Sequence, residues 1–186
     1  MKKSLFVTVL SLPLVFSLFA VTTAQGQPLD QKSLARLYKE VRHELVMLPY
    51  YGVFDNLSYK VDLDGTVTLM GQVVLPTLKS DAGNAVKRIE GVTKVVTDIE
   101  VLPTSNMDDG IRRAEYRAIY GNTVLNQYQL RAVPPIHIIV KNGHVTLVGV
   151  VARAMDKQIA GVQANSVPGV FSLTNNLIVE QDEKKK

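Results

Sequence analysis

Leu34, Leu37, Tyr38, Val41 and Leu45 recur at helical spacing behind the candidate N-cap Ser33 and predict an amphipathic helix. The period then shortens to two, first in Tyr59 and Val61, then in Val67 and Leu69, on either side of Asp64-Gly65, which reads as a hairpin. Leu78, Ala82, Ala85, Val86 and Ile89 return to helical spacing until Gly91 stops them, and Val92 to Val101 reads as a last strand. The same order follows once more. Ile111, Ala114 and Ala118 open a helix after Asp108-Asp109, and a hairpin turns at Asn142-Gly143. A further helix ends near Val167 at the stop Pro168-Gly169, and Val170 to Val179 closes the unit.

The second half is a copy of the first. Shifted by 78 positions, Gly65-Thr66-Val67-Thr68-Leu69-Met70-Gly71 falls on Gly143-His144-Val145-Thr146-Leu147-Val148-Gly149, and from 65 to 101 there are 12 identities in 37 positions. A period of this size is too long for a solenoid unit and suits two tandem domains. The expected fold is α+β: two small αββαβ domains, each with two helices on one face of a three-stranded sheet. The polar, punctuated stretch Leu102 to Gly110 reads as the join, with the first domain at 25–104 and the second at 105–180.

The hairpin turn has two candidate forms, a two-residue Asp64-Gly65 (Asn142-Gly143) turn or a three-residue loop with glycine left-handed in third place. In the first copy the three-residue loop pairs Val61 with Val67 and Tyr59 with Leu69, whereas the shorter turn sets Asp62 and Lys60 against them. A one-residue slip turns every side chain over, so the three-residue loop is preferred. Carried into the second copy, that register points His137 to the Val145/Leu147 face and His144 to the other.

Composition narrows the function classes. The chain has 186 residues and no cysteine, so disulfides, zinc–thiolate sites, iron–sulfur centres and cysteine nucleophiles are excluded. Residues 1–24 read as a secretory signal: Lys2-Lys3, an apolar run from Leu5 to Val21, then Thr22-Thr23-Ala24 before Gln25. A run of about 17 residues broken by Pro13 sits at the lower limit for a spanning helix, so cleavage is preferred to anchoring. The expected location is periplasmic. With Lys2, Lys3 and the charged tail 181–186 set aside, 16 basic and 15 acidic residues remain. A body near neutrality is no bulk binder of nucleic acid.

The paired hairpins, the Ala-rich helices and the Gly91-Val92-Thr93-Lys94-Val95 and Gly169-Val170-Phe171-Ser172-Leu173 strands together resemble the BON domain family. The first copy of its hairpin pattern runs from Val61 to Val73, the second from Ile139 to Val151. The motif glycines Gly65, Gly71, Gly91, Gly143, Gly149 and Gly169 are structural. The resemblance implies a periplasmic phospholipid-binding role in envelope integrity and osmotic or other stress tolerance, with no catalytic residues and no cofactor.

The residues offer few groupings suited to catalysis or metal binding. His43, His137 and His144 lie on different elements or faces and are expected to hold no metal. Asp62, Asp64 and Asp81 are explained by turn and cap duty, and no phosphate loop or nucleophile elbow is present. Two features suit a membrane surface. Tyr50, Tyr51 and Phe54 concentrate aromatic rings between helix and strand, although folding back over the small core is the preferred reading of them. Arg112, Arg113 and Arg117, with Arg131 nearby, give residues 107–180 a net charge of +2 against −1 for 29–104. The expected partner is an anionic phospholipid surface, contacted by the second repeat. The alternative is an envelope protein whose strand adds to the sheet edge at Val92–Val101 or Val170–Val179.

Overall fold

The structure, a computed structural model, describes residues 29–180; the signal read at 1–24 and the tail at 181–186 lie outside them. Helix α1 (Gln31–Val46) begins at Asp30, whose carboxylate accepts the Ser33 N–H at 2.9 Å, so the N-cap lies three residues before the expected Ser33. Strands β1 (Asn56–Val61) and β2 (Thr66–Val73) form the hairpin, α2 (Pro76–Lys87) crosses over, and β3 (Lys94–Val101) returns parallel to β2. The second repeat follows with α3 (Asn106–Tyr120), a 3-10 turn (Asn126–Leu130), β4 (Ile136–Lys141), β5 (His144–Val151), α4 (Ala154–Asn165) and β6 (Ser172–Val179). Each sheet has its middle strand from the hairpin, in the orders β1-β2-β3 and β4-β5-β6. The parallel pair needs a crossover, and α2 and α4 supply it.

In the first repeat Leu37, Val41 and Leu45 of α1 and Leu78, Ala82 and Val86 of α2 share one core with Val61, Val67, Leu69 and Ile99 of the sheet. Its hairpin takes the three-residue loop: Val61 pairs with Val67 and Tyr59 with Leu69, while Gly65 adopts φ 81°.

The second hairpin does not follow. Lys141 pairs with His144, Val140 with Val145 and Ile138 with Leu147, so the turn is the two-residue Asn142-Gly143, both at positive φ (53° and 78°). His137 therefore lies opposite Val148 on the outer face, shared with His144, and not on the Val145/Leu147 face as expected. The cause is the composition of β4. Ile136, Ile138 and Val140 bury against the helices, yet Ile139 on the other face is also only 6% exposed. With both faces covered, no alternation marks the inner one.

The copies are consequently out of step outside the β2–β3 and β5–β6 segments. A Cβ on Gly71 would collide with the Asn56 carbonyl, and one on Gly149 with the Pro135 carbonyl, so β1 and β4 correspond at an offset of 79. Leu37 packs beside Gly91 as Ile111 packs beside Gly169, which sets the first helices at an offset of 74. The Tyr38 hydroxyl bonds the Val61 backbone where Arg112 bonds the Val140 carbonyl, and these pairs obey the same two offsets. Thus Ile111, Glu115 and Ile119 form the buried stripe of α3, whereas Ala114 and Ala118 are only half-buried.

Candidate functional site

Helix α3 starts on Ser105, whose hydroxyl accepts the Asp108 N–H at 3.2 Å, with Asp108 and Asp109 complementing the positive end of the helix. Asp108 is fully buried. Its two oxygens accept the N–H groups of Asn142 (2.9 Å) and Gly143 (2.8 Å), so the helix start grips the left-handed turn. Four residues on, Arg112 is buried as well. One guanidinium nitrogen meets Asp109 and another donates to the Val140 carbonyl at 2.7 Å. Arg112 was expected in an exposed lipid-binding cluster with Arg113 and Arg117, and the structure corrects this: it ties α3 to β4. Arg113 and Arg117 are exposed, one turn apart on α3, and have no ion-pair partner among the described residues.

Burial removes acidic groups from the surface of this repeat. Asp108 and Asp156 are both 0% exposed, and Asp156 is held by the Tyr128 hydroxyl at 2.6 Å and by Arg153 at 3.0 Å. Glu115 is also 0% exposed, and neither of its oxygens has a hydrogen-bond partner in the structure. Loss of solvation pushes its pKa up to about 8, so it is predominantly protonated at pH 7. Three of the five acids between 107 and 180 are therefore hidden from solvent. Arg113, Arg117 and Arg131 stay exposed.

The aromatic connector lies across both repeats. Tyr50 is 81% exposed with φ 67°, and the chain then dives inward. Tyr51 packs on the first core and stacks on His137 at 5.7 Å between ring centres. The Val53 carbonyl accepts the Ile138 N–H at 2.8 Å, extending the β4 edge. Val53 and Phe54 pack on the second core, Phe54 meeting Tyr116 edge to face. Buried Asp55 holds the bend by accepting from Gly52 (3.1 Å) and Val74 (2.8 Å), and desolvation raises its pKa. Tyr51 and Phe54 thus fold back over the cores, the alternative weighed against rings open to lipid, and join the two domains, while Tyr50 alone of the three remains exposed. Burial keeps the His137 imidazole below its ordinary range, with its Nδ1 3.3 Å from the Gly52 carbonyl oxygen.

Two hollows flank this connector. In one, of about 300 Å³, Tyr50, Phe54 and Leu75 of the first repeat meet Arg112 and Arg113 of the second. In the other, a cleft of about 680 Å³, Arg42, Leu45, Tyr51 and Leu57 face Arg131, Pro134 and His137. The structure therefore combines the aromatic and basic features that the sequence kept apart. Arg42, exposed on α1, carried no signal in the sequence. Glu115 carried one, since it stands four residues from both Ile111 and Ile119. Among the described residues no three His, Asp or Glu side chains converge as metal ligands, and no helix is long and apolar enough to cross a membrane.

A family model described as BON domain matches the chain over residues 38–103 and 122–181. Two solved structures are similar to it: the C-terminal domain of CdsD, a structural protein of the type III secretion system of Chlamydia trachomatis, and a second structure of CdsD. They cover 77% and 81% of this chain and 96% of each of their own, at 12% and 11% identity and TM-scores of 0.28 and 0.29. No curated protein matches the chain significantly.

Proposed function

The chain belongs to the BON domain family, and from that premise we propose that it is a non-catalytic, periplasmic protein that docks peripherally on anionic phospholipid surfaces and supports envelope integrity under stress. The observation that carries this reading is the excess of exposed bases over exposed acids in the second repeat. Three of its acids are buried, while Arg113, Arg117 and Arg131 are exposed and have no ion-pair partner among the described residues. Each base near an anionic leaflet contributes about 1 kcal/mol, so three supply roughly two orders of magnitude in affinity at low salt. Exposed Tyr50 beside Arg113, and Leu130 (89% exposed) beside Arg131, add rings and chains suited to the interface.

Sedimentation with phosphatidylglycerol-containing and pure phosphatidylcholine vesicles tests it. Binding is expected to the anionic vesicles alone, to weaken at high salt, and to disappear in Arg113→Glu/Arg117→Glu. Equal binding to both vesicle types, or none to either, overturns the reading. A second reading, acceptance of a partner strand, rests on β6, which pairs only with β5 among the described residues and exposes Ile178. Capture of an envelope protein that survives high salt and is lost in Ile178→Pro favours it.

A further inference from the structure

The cleft between the repeats differs chemically from three other grooves among the described residues. The groove between α1 and α2 mixes Lys39 and Arg88 with Glu40 and Glu44. The hollow beside Tyr50 contains Asp55 and Asp109, and the groove between the sheets contains Glu100. The 680 Å³ cleft has two arginines in its lining and no carboxylate. Arg42 comes from the first repeat and Arg131 from the second, and neither has an ion-pair partner among the described residues. Most of the remaining wall is apolar: Leu45, Val46, Leu57, Val133, Pro134 and Val150. Val46 is 43% exposed although it is aliphatic.

A concave space of this size, apolar with a few convergent polar groups, has the character of a small-ligand site. The basic groups select an anion. Guanidinium favours phosphate through paired, charge-assisted N–H donors. The apolar walls favour a hydrocarbon chain attached to that anion. A free phosphate would leave those walls unused, and a zwitterionic headgroup would bring a cation toward two arginines.

We propose that this cleft is a stoichiometric site for one anionic phospholipid, with the headgroup phosphate at Arg42 and Arg131 and the start of an acyl chain on the aliphatic wall. The inference rests on the surface-docking reading and deepens it: the membrane recruits the protein through Arg113 and Arg117, and one lipid then lodges between the repeats. Because both repeats supply a base, the bound lipid clamps them together. His137 forms part of the wall as a neutral ring, stacked by Tyr51, and needs no charge for this role.

The test is titration of the full chain with dihexanoyl-phosphatidylglycerol below its micellar concentration, followed by NMR shifts of the Arg42, His137 and Val150 amides. Saturable one-to-one binding is expected, weakened about tenfold or more by either Arg42→Glu or Arg131→Glu, the range expected for losing a charge-assisted contact. Dihexanoyl-phosphatidylcholine and inorganic phosphate are expected to bind at least tenfold more weakly; equal binding by either overturns the proposal. Absence of saturation, or indifference to both cleft reversals, also overturns it. Parallel vesicle sedimentation separates the two ideas. Vesicle binding that persists without short-chain lipid binding removes the cleft and keeps the surface, whereas saturable short-chain binding without vesicle binding does the reverse.

Discussion

Glu115 occupies in α3 the place that Val41 holds in α1, so one repeat carries an unpaired carboxyl where its twin carries a methyl-bearing side chain. A buried polar group without a partner costs about 1–3 kcal/mol even when neutral. Its proton adds a pH dependence. In the unfolded chain the carboxyl ionises near its ordinary 4.5, but in the folded repeat only near 8. Between those values the unfolded state has lost the proton that the folded state keeps, so stability falls as pH rises from about 4.5 to about 8 and levels off above. Glu115→Val should raise the melting temperature at pH 5. At pH 8 it should raise it further, by the equivalent of a few kcal/mol, since each unit of displaced pKa is about 1.4 kcal/mol. Parallel melts of parent and variant from pH 5 to 9 check this; a constant gap between the curves would contradict it.

Arg112 and Arg113 are neighbours with opposite duties. Arg112→Ala removes the donor to the Val140 carbonyl and the partner of Asp109, and should cost about 1–3 kcal/mol. Arg113→Glu changes exposed surface only and should stay within about 0.5 kcal/mol. Chemical denaturation of the two variants should separate them clearly, whatever either does to vesicle binding.

Asp108 is the acceptor for both amides of the second turn, and Asp108→Ala leaves those donors without their partner. A loss of about 2–3 kcal/mol is expected, since charged acceptors contribute more than neutral ones. Hydrogen exchange at Asn142 and Gly143 should accelerate before that of the β5–β6 ladder. If the turn amides keep their protection, Asp108 is not what holds them.

Phe54 belongs to the first repeat in sequence and to the second core in space. Phe54→Ala should therefore destabilise β4 and α3 by about 1–3 kcal/mol, less than a fully buried phenylalanine because the ring is half-buried. Exchange rates of the Ile138 and Tyr120 amides would report it. A loss of protection confined to α1 and α2 would show that the ring supports the first core instead.

The glycines and apolar ladder of β2 and β5 made the duplication and the αββαβ order readable, because a left-handed glycine and a period-two strand each permit few structures. The second hairpin was unreadable for a physical reason: the first repeat covers the outer face of β4, so Ile139 looks as inward as Ile138. Burial of Glu115 was visible in its spacing from Ile111 and Ile119, although a stripe drawn through Ala114 and Ala118 passes it by. The cleft was not visible at all. Arg42 and Arg131 are far apart in sequence, and only the docking of one repeat on the other brings them to one space.

The connector that lends Val53 and Phe54 to the second core lies about fifty residues upstream of the join at Leu102–Gly110. The peptide between the repeats is therefore not what keeps them in company. A protease that cut the exposed Pro103–Thr104 bond would yield two fragments on a denaturing gel and one particle in a gel-filtration column. The Val53–Ile138 hydrogen bond, the Tyr51–His137 stack and the Lys141–Glu100 ion pair all survive that cut. In the language of complementation, the halves would behave as a noncovalent heterodimer whose subunits happen to be born on one chain.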